Sequence, residues 1–404
     1  MSDVRIPLPQ LRAYLERCKQ DPQTKVALVL SAAAAPGAYQ AGVIDALLRA
    51  RIPIDCIVSS SGGALNGISI LLDCLEAPGD QASAVRIWER LSMDQVLSPA
   101  WVLRAWQRLQ SFSAEPWVQA GAAIGFLPML IAGLPLIIHN LRKRRALFSS
   151  EPLRRLIIAT LYDGLKTAPG WRSEAWIGAA LSRRWQLAGG PEMIITATSL
   201  DAMDAVLFTL AQQETVERLR AAGRKVIPLC SKPAGIDDRP GLLVPALMAS
   251  SALFPFLPLQ RIGNLVLGDG GFLGSTPLEI AIEAGATHVL VVEVDTPANA
   301  GKVDRAAMST LVKRVAATMI TSRNRSMQQR INLEGIRCFY LSPSAKFLTF
   351  LDFDGCFARG RVVFSLSGQV GYGRRDAAEG FWLDPGSFSN EGLCFTDPWD
   401  TNGT

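Results

Sequence analysis

Ile54–Gly67, IDCIVSSSGGALNG, passes from an apolar, β-branched run into a cluster of small residues with Ser61 at its apex, and a helical pattern follows. A short strand, a sharp turn and a helix in that order lift one serine hydroxyl clear of the backbone, as a serine nucleophile requires. Glycine stands two residues before and two after such a serine because the turn is tight and the helix must approach the strand. Gly63 occupies the second of these positions, and Ser59 stands at the first. Taken alone, SSSGG also reads as a polar turn between a strand and a helix.

Two further segments give the turn company. Lys25–Val43, KVALVLSAAAAPGAYQAGV, is an apolar strand leading through small residues into a helix, and Leu265–Leu278, LVLGDGGFLGSTPL, is a strand ending in Asp269. Gly270 and Gly271 after that aspartate form a turn without bulky neighbours, where another backbone can come close. Ser61 and Asp269 are thus a candidate nucleophile and a candidate base.

In these blocks the chain resembles the patatin-like phospholipase family. The similarity runs through LVLSAAAAPGAYQAGVIDAL, SSSGGALNG, LFSSEPLRRLI, ALMASSALFPFLPL and GDGGFLGSTPL, in the family's order and roughly its spacing, from about Lys25 to about Gly373. The resemblance implies an α/β fold, a three-layer α/β/α arrangement around a mostly parallel central sheet, here with an apolar helical insertion. It implies a lipid acyl hydrolase of phospholipase or lysophospholipase type, acting on acyl esters through a Ser61–Asp269 dyad. No metal and no cofactor are implied.

The family's oxyanion loop, three glycines, a variable residue, a basic residue and a glycine, falls on Ala32, Ala33, Ala34, Ala35, Pro36 and Gly37. Ala33, Ala34, Ala35 and Gly37 are the candidate oxyanion loop. Alanine at positive φ costs about 1–2 kcal/mol, so a loop of the glycine type is expected to be strained here or rerouted. Pro36 has no N–H to donate. Restoring glycine at 32–34 and arginine at 36 is accordingly expected to raise turnover by about tenfold or more. The alternative reading is a weak or inactive relative that binds lipid or membrane.

With 404 residues, 49% hydrophobic and 19% charged, the chain can bury a large core. The expected organisation is an N-terminal helical extension over 1–24, one acyl hydrolase domain over 25–375 and an irregular tail over 376–404. Residues 1–24 read as a short helix with Leu11, Tyr14, Leu15 and Cys18 on one stripe. The seven cysteines are scattered and never spaced C-x-x-C, which favours buried thiols over a disulfide framework or zinc site. A charged start without an apolar core shows no secretory signal, so the expectation is a cytoplasmic, membrane-associated protein.

Membrane association is read from an insertion over about 100–148. Within it Pro116–Asn140, PWVQAGAAIGFLPMLIAGLPLIIHN, has no formally charged residue, counting His139 as neutral. Trp101, Trp106 and Trp117 stand on one side and Arg142, Lys143, Arg144 and Arg145 on the other. Residues 101–150 hold six basic residues and one acidic, which leaves 35 of each elsewhere, so the whole net charge of +5 sits here. A single bilayer crossing would separate Ser61 from Asp269. Pro128 and Pro135, with Gly121, Gly125 and Gly133, instead suggest two short helical pieces. They would dip into a membrane or lie in its interface over 116–145, or else cap the site.

The remaining pattern reads as α/β. Met193–Thr198 is a strand with Ala205–Leu210 as its hairpin neighbour, Glu214–Ala222 a helix and His288–Val294 a buried strand. A long helix is expected over Asp304–Gln329. His139 and His288 are the chain's two histidines, and neither fits the order of a Ser-His-Asp triad. No dinucleotide fingerprint or Walker motif is present, and basic residues are not interleaved as in a nucleic-acid reader.

Overall fold

The computed structural model describes residues 5–76, 81–98, 146–166, 173–274, 276–294, 336–344 and 365–383, together with a few positions between 135 and 142 and between 357 and 362. In chain order the first half contains β1 (Arg5–Ile6), α1 (Leu8–Cys18), β2 (Val26–Ala33), α2 (Gly37–Arg49), β3 (Cys56–Ser61), α3 (Gly62–Leu75), α4 (Ser83–Arg90), α5 (Glu151–Gly164) and α6 (Glu174–Ala188). Then come β4 (Glu192–Ser199), β5 (Asp204–Gln212), α7 (Gln213–Ala221), β6 (Lys225–Lys232), α8 (Leu243–Ser250), β7 (Gln260–Ile262), β8 (Leu265–Gly268) and α9 (Leu278–Glu283). The series closes with β9 (His288–Val292), β10 (Arg337–Leu341), the two-stranded ribbon of β11 (Phe357–Ala358) and β12 (Arg361–Val362), α10 (Leu366–Glu379) and β13 (Phe381–Leu383).

A strand covered on both faces reads as a nearly continuous apolar run. β2, VALVLSAA, is such a strand: Val26, Leu28 and Leu30 face one core cluster, and Ala27 and Val29 face the other. The first cluster takes side chains from α1 to α6, α8 and α10, and the second from α7 and α9. Helices therefore cover both faces, which gives the expected three layers.

The sheet is mixed. Its order is β1-β13-β10-β9-β2-β3-β4-β5-β6, with β8 and then β7 added beside the end of β4. The five strands from β10 to β4 are parallel to one another, whereas β5, β8 and β13 join their neighbours antiparallel. The chain steps from β2 to β3 to β4 on one side and later to β9 and β10 on the other. The strand order thus reverses at β2, and ligand sites of open α/β sheets lie beyond the carboxyl ends of the strands near such a reversal.

The expected domain ends require correction. A boundary at 375 cuts through α10, which packs on α2 so closely that a Cβ at Gly42 would lie 2.0 Å from the Val370 carbonyl oxygen. Residues 381–383 are no irregular tail: β13 sits between β1 and β10 and links the two ends of the described chain through the sheet. At the N-terminus α1 forms as expected and buries Leu8, Leu11 and Leu15. The expected helix over 304–329 and the apolar run from 116 to 134 lie outside the described residues. Of the run's remainder and its basic flank, Pro135, Ile138, His139 and Arg142 are helical and exposed. Among the described residues no helix is long and apolar enough to cross a membrane.

Candidate active site

β3 delivers Ser61 to the carboxyl edge of the sheet, and α3 begins at the next residue. The serine has φ 54° and ψ −128°, a strained conformation for a residue other than glycine and one that concentrates at functional turns. Its neighbours had to be small. A Cβ at Gly62 would lie 1.9 Å from the Ala33 carbonyl oxygen, and one at Gly63 2.6 Å from that of Ser31. Ser59, which stands in the position of the missing glycine, is a buried strand residue whose Oγ donates to the Ile194 carbonyl oxygen at 3.4 Å.

Asp269 follows β8, the strand that joins the end of β4. Ser61 Oγ donates to Asp269 Oδ2 at 2.7 Å across 208 residues of sequence. The other carboxylate oxygen accepts the Gly271 N–H at 2.7 Å, and Thr198 Oγ1 donates to the Asp269 carbonyl oxygen at 2.8 Å. Gly270 lets the turn lie on β4, where a Cβ would stand 2.3 Å from the Thr196 carbonyl oxygen. With only 3% of Asp269 exposed, burial pushes its pKa up to about 6 from the ordinary 3.8, against the opposing pull of the Ser61 hydroxyl and the Gly271 N–H. A carboxylate in this condition is a better proton acceptor than an exposed one and is ionised at neutral pH.

The alanine loop takes a path that avoids the expected strain. β2 carries one extra residue relative to β3, since Leu30 pairs with Ser59 and Ala33 with Ser61. Such a bulge redirects a strand next to a site. No residue from Ala32 to Pro36 has positive φ. Ala33 stays in the sheet, and Ala34 and Ala35 form a turn whose carbonyls accept the N–H groups of Gly37 and Ala38 at 2.9 and 3.2 Å. The Gly37 N–H is therefore engaged within its own loop. Ala32 Cβ meets the aspartate turn, 2.8 Å from where a Cβ on Gly271 would be.

Beside Ser61 opens an apolar pocket that encloses about 700 Å³ including space continuous with solvent. α3, α4, α5 and α8 contribute Leu65, Trp88, Ile157 and Leu247, and the chain after α8 contributes Phe256 and Leu257. None of the described residues that line it is charged. Trp88 is held by its Nε1–H, which donates to Asn66 Oδ1 at 2.6 Å, while Asn66 Nδ2 donates to the Gly37 carbonyl oxygen at 2.9 Å. An apolar cleft with a few fixed polar groups at one end suits a lipid chain carrying an ester.

A model of the patatin-like phospholipase family matches residues 28–282, more than half of the chain, and this span includes both Ser61 and Asp269. The chain belongs to the patatin-like phospholipase family. Members of this family are lipid hydrolases, which supports that activity at the level of the family. No match was found among curated proteins. Among solved structures, this patatin-like protein is similar to VipD from Legionella pneumophila, at 12% identity and a TM-score of 0.38, over 90% of this chain and 68% of that one. It is also similar to the type III effector protein ExoU, at 15% identity and a TM-score of 0.31, over 88% of this chain and 54% of that one.

Reasoning from sequence did not single out Ser250, which accepts the Ser61 N–H at 2.9 Å, nor the Asn66–Trp88 pair. The available signal was a set of uncharged polar residues inside otherwise apolar helical stretches, which require partners once buried. Among the described residues no cluster of metal-ligating side chains occurs.

Proposed function

We propose that this protein cleaves acyl esters of lipids, with Ser61 as nucleophile and Asp269 as general base. One observation carries the reading: the 2.7 Å contact between Ser61 Oγ and Asp269 Oδ2 at the head of a pocket whose described lining is apolar and uncharged. The ester's acyl chain lies in the pocket with its carbonyl carbon over Ser61. Asp269 accepts the hydroxyl proton as Oγ attacks, and the oxyanion is held by backbone N–H groups of the Ala33–Ala35 loop and the first turn of α3. The partial positive charge at the start of that helix favours the developing negative charge. Collapse of the tetrahedral intermediate expels the alcohol, which takes the proton from Asp269 and leaves an acyl-Ser61 ester. Water then gives a proton to Asp269 and attacks the ester, and release of the fatty acid returns the proton to Ser61.

The test compares wild type with Ser61→Ala and Asp269→Asn on short-chain nitrophenyl esters and on micellar phospholipid. Activity in the wild type that both variants lose supports the reading. A wild type without turnover favours the second reading, a lipid-binding relative, which draws support from Pro36 and from the engagement of the Gly37 N–H within its loop. In either case the insertion over 116–145 engages a membrane surface. The support is where it is rooted: Ser98 and Ser149 form an antiparallel bridge, and Leu147 and Phe148 donate to the carbonyls of Pro255 and Phe256 at 2.9 Å, beside the pocket.

A further inference from the structure

Three consecutive residues at the end of α8 hold both members of the Ser61–Asp269 pair. The Ser61 N–H donates to Ser250 Oγ at 2.9 Å, and Ser251 Oγ donates to the Ser61 carbonyl oxygen at 3.4 Å. The Asp269 N–H donates to the Ala252 carbonyl oxygen at 3.0 Å. The nucleophile and the base arrive from strands far apart in sequence, and this short turn stands between them as a common support.

The contact at Ser250 bears most directly on the nucleophile. A residue at φ 54° persists only where its surroundings over-determine that conformation. At the elbow the Ser61 N–H is turned to a side chain, and a buried N–H left without a partner is costly. Ser250 is itself fully buried, so its hydroxyl is an acceptor shielded from solvent. The same contact removes the Ser61 N–H from the donors available to an oxyanion. It leaves Oγ of Ser61 directed at Asp269.

We propose that Ser250 is a positioning residue of the hydrolytic reaction, holding Ser61 in the strained turn from which its hydroxyl meets Asp269. This rests on the hydrolase reading given above. Ser250 does not touch the substrate; it acts through the backbone of Ser61. Removing the acceptor therefore lowers the rate of the chemical step and leaves substrate binding unchanged.

The experiment uses the full chain with Ser250→Ala and the nearly isosteric Ser250→Cys, whose sulfur is a weak acceptor and which carries the test if the alanine variant does not fold. On a short-chain nitrophenyl ester, kcat is expected to fall about ten- to a hundredfold in Ser250→Ala and less in Ser250→Cys, with KM unchanged. Phosphonylation of Ser61 by a fluorophosphonate should slow in step. Crystal structures of the variants should show Ser61 relaxed out of positive φ, or its Oγ beyond hydrogen-bond reach of Asp269. Full kcat in a folded variant, or a Ser61 that has not moved, overturns the proposal. If the wild type neither turns over ester nor reacts with the fluorophosphonate, the hydrolase reading is what fails. The crystal structures then decide whether Ser250 holds Ser61.

Discussion

The backbone of Gly62 lies against the carbonyl oxygen of Ala33, so that a Cβ at position 62 would stand 1.9 Å from it. This approach sets where α3 leaves β3 and hence where Ser61 points. Gly62→Ala is expected to destabilise the fold by about 1–3 kcal/mol through overpacking. It should also lower kcat by about a hundredfold, since a shift of an ångström at a nucleophile has that effect. Chemical denaturation and ester turnover on the same preparation check both. A stable, fully active Gly62→Ala would show that the elbow yields without consequence.

The buried carboxyl of Asp269 gives the activity a pH dependence. In the proposed mechanism Asp269 must be ionised to act as base, so kcat/KM should rise with pH and level off above about 6, and Asp269→Asn should abolish the activity. Stability runs the other way. A carboxyl whose pKa is raised in the folded state holds its proton more tightly there, so its contribution to stability falls as pH rises from about 3.8 to about 6. Relative to wild type, Asp269→Asn should therefore gain stability across that interval, as melting temperatures measured at a series of pH values would reveal.

His288 titrates with the opposite consequence for stability. Burial, with the nearby charge of Arg337, lowers its pKa to about 4, and Tyr14 Oη lies 3.2 Å from its Nε2. The unfolded chain takes up this proton near pH 6.5, so stability is lost as pH falls from about 6.5 to about 4. Because Tyr14 belongs to α1, acid should loosen that helix first. His288→Gln should flatten the acid limb of the stability curve, and hydrogen exchange in α1 should report the loosening.

Glycine in place of Ala32, Ala33 and Ala34 is expected to bring no gain in turnover, contrary to what the sequence alone suggests. The native loop has no positive φ at these positions, so the alanines carry no strain for glycine to relieve. Each replacement instead frees the unfolded chain and costs about 0.4–1 kcal/mol of stability. A tenfold rise in kcat in a folded triple variant would contradict this account.

The insertion is expected to confer binding to anionic vesicles. Replacing Arg142, Lys143, Arg144 and Arg145 with glutamine should weaken it by about 1 kcal/mol per charge, and added salt should weaken the wild type as well. Binding that remains in high salt measures the apolar contribution, which ions do not screen. Vesicle sedimentation at two salt concentrations reads both. Vesicle binding left intact by deletion of 116–140 would mark the segment as a cap.

The parts of this architecture that were legible are those whose signal is local. Strand, turn and helix at Ser61 follow from apolar periodicity and small residues within fourteen positions, and Asp269 from a strand ending in two glycines. Ser250 was not legible because its role is a contact across 189 residues, and nothing in ALMASSALF marks one of two serines for it. β13 was missed for a different reason. Three residues carry too little alternation to read as a strand, and only pairing with β1 and β10 defines it. Of the two outcomes expected for the alanine loop, strain or another path, the second holds, and the sequence could not choose between them because the extra residue in β2 is a property of the pairing with β3, invisible in either strand alone.

The Ser98–Ser149 bridge has an evolutionary consequence. The chain departs toward the insertion and returns from it at two facing residues, and the alpha carbons of an antiparallel pair are only about 5 Å apart. A turn of two residues could close that gap. Phe148 is buried in the core and Leu147 is bonded to Pro255, so these two belong to the α/β body, and it is residues 99–145 that the core carries as a cassette open to exchange.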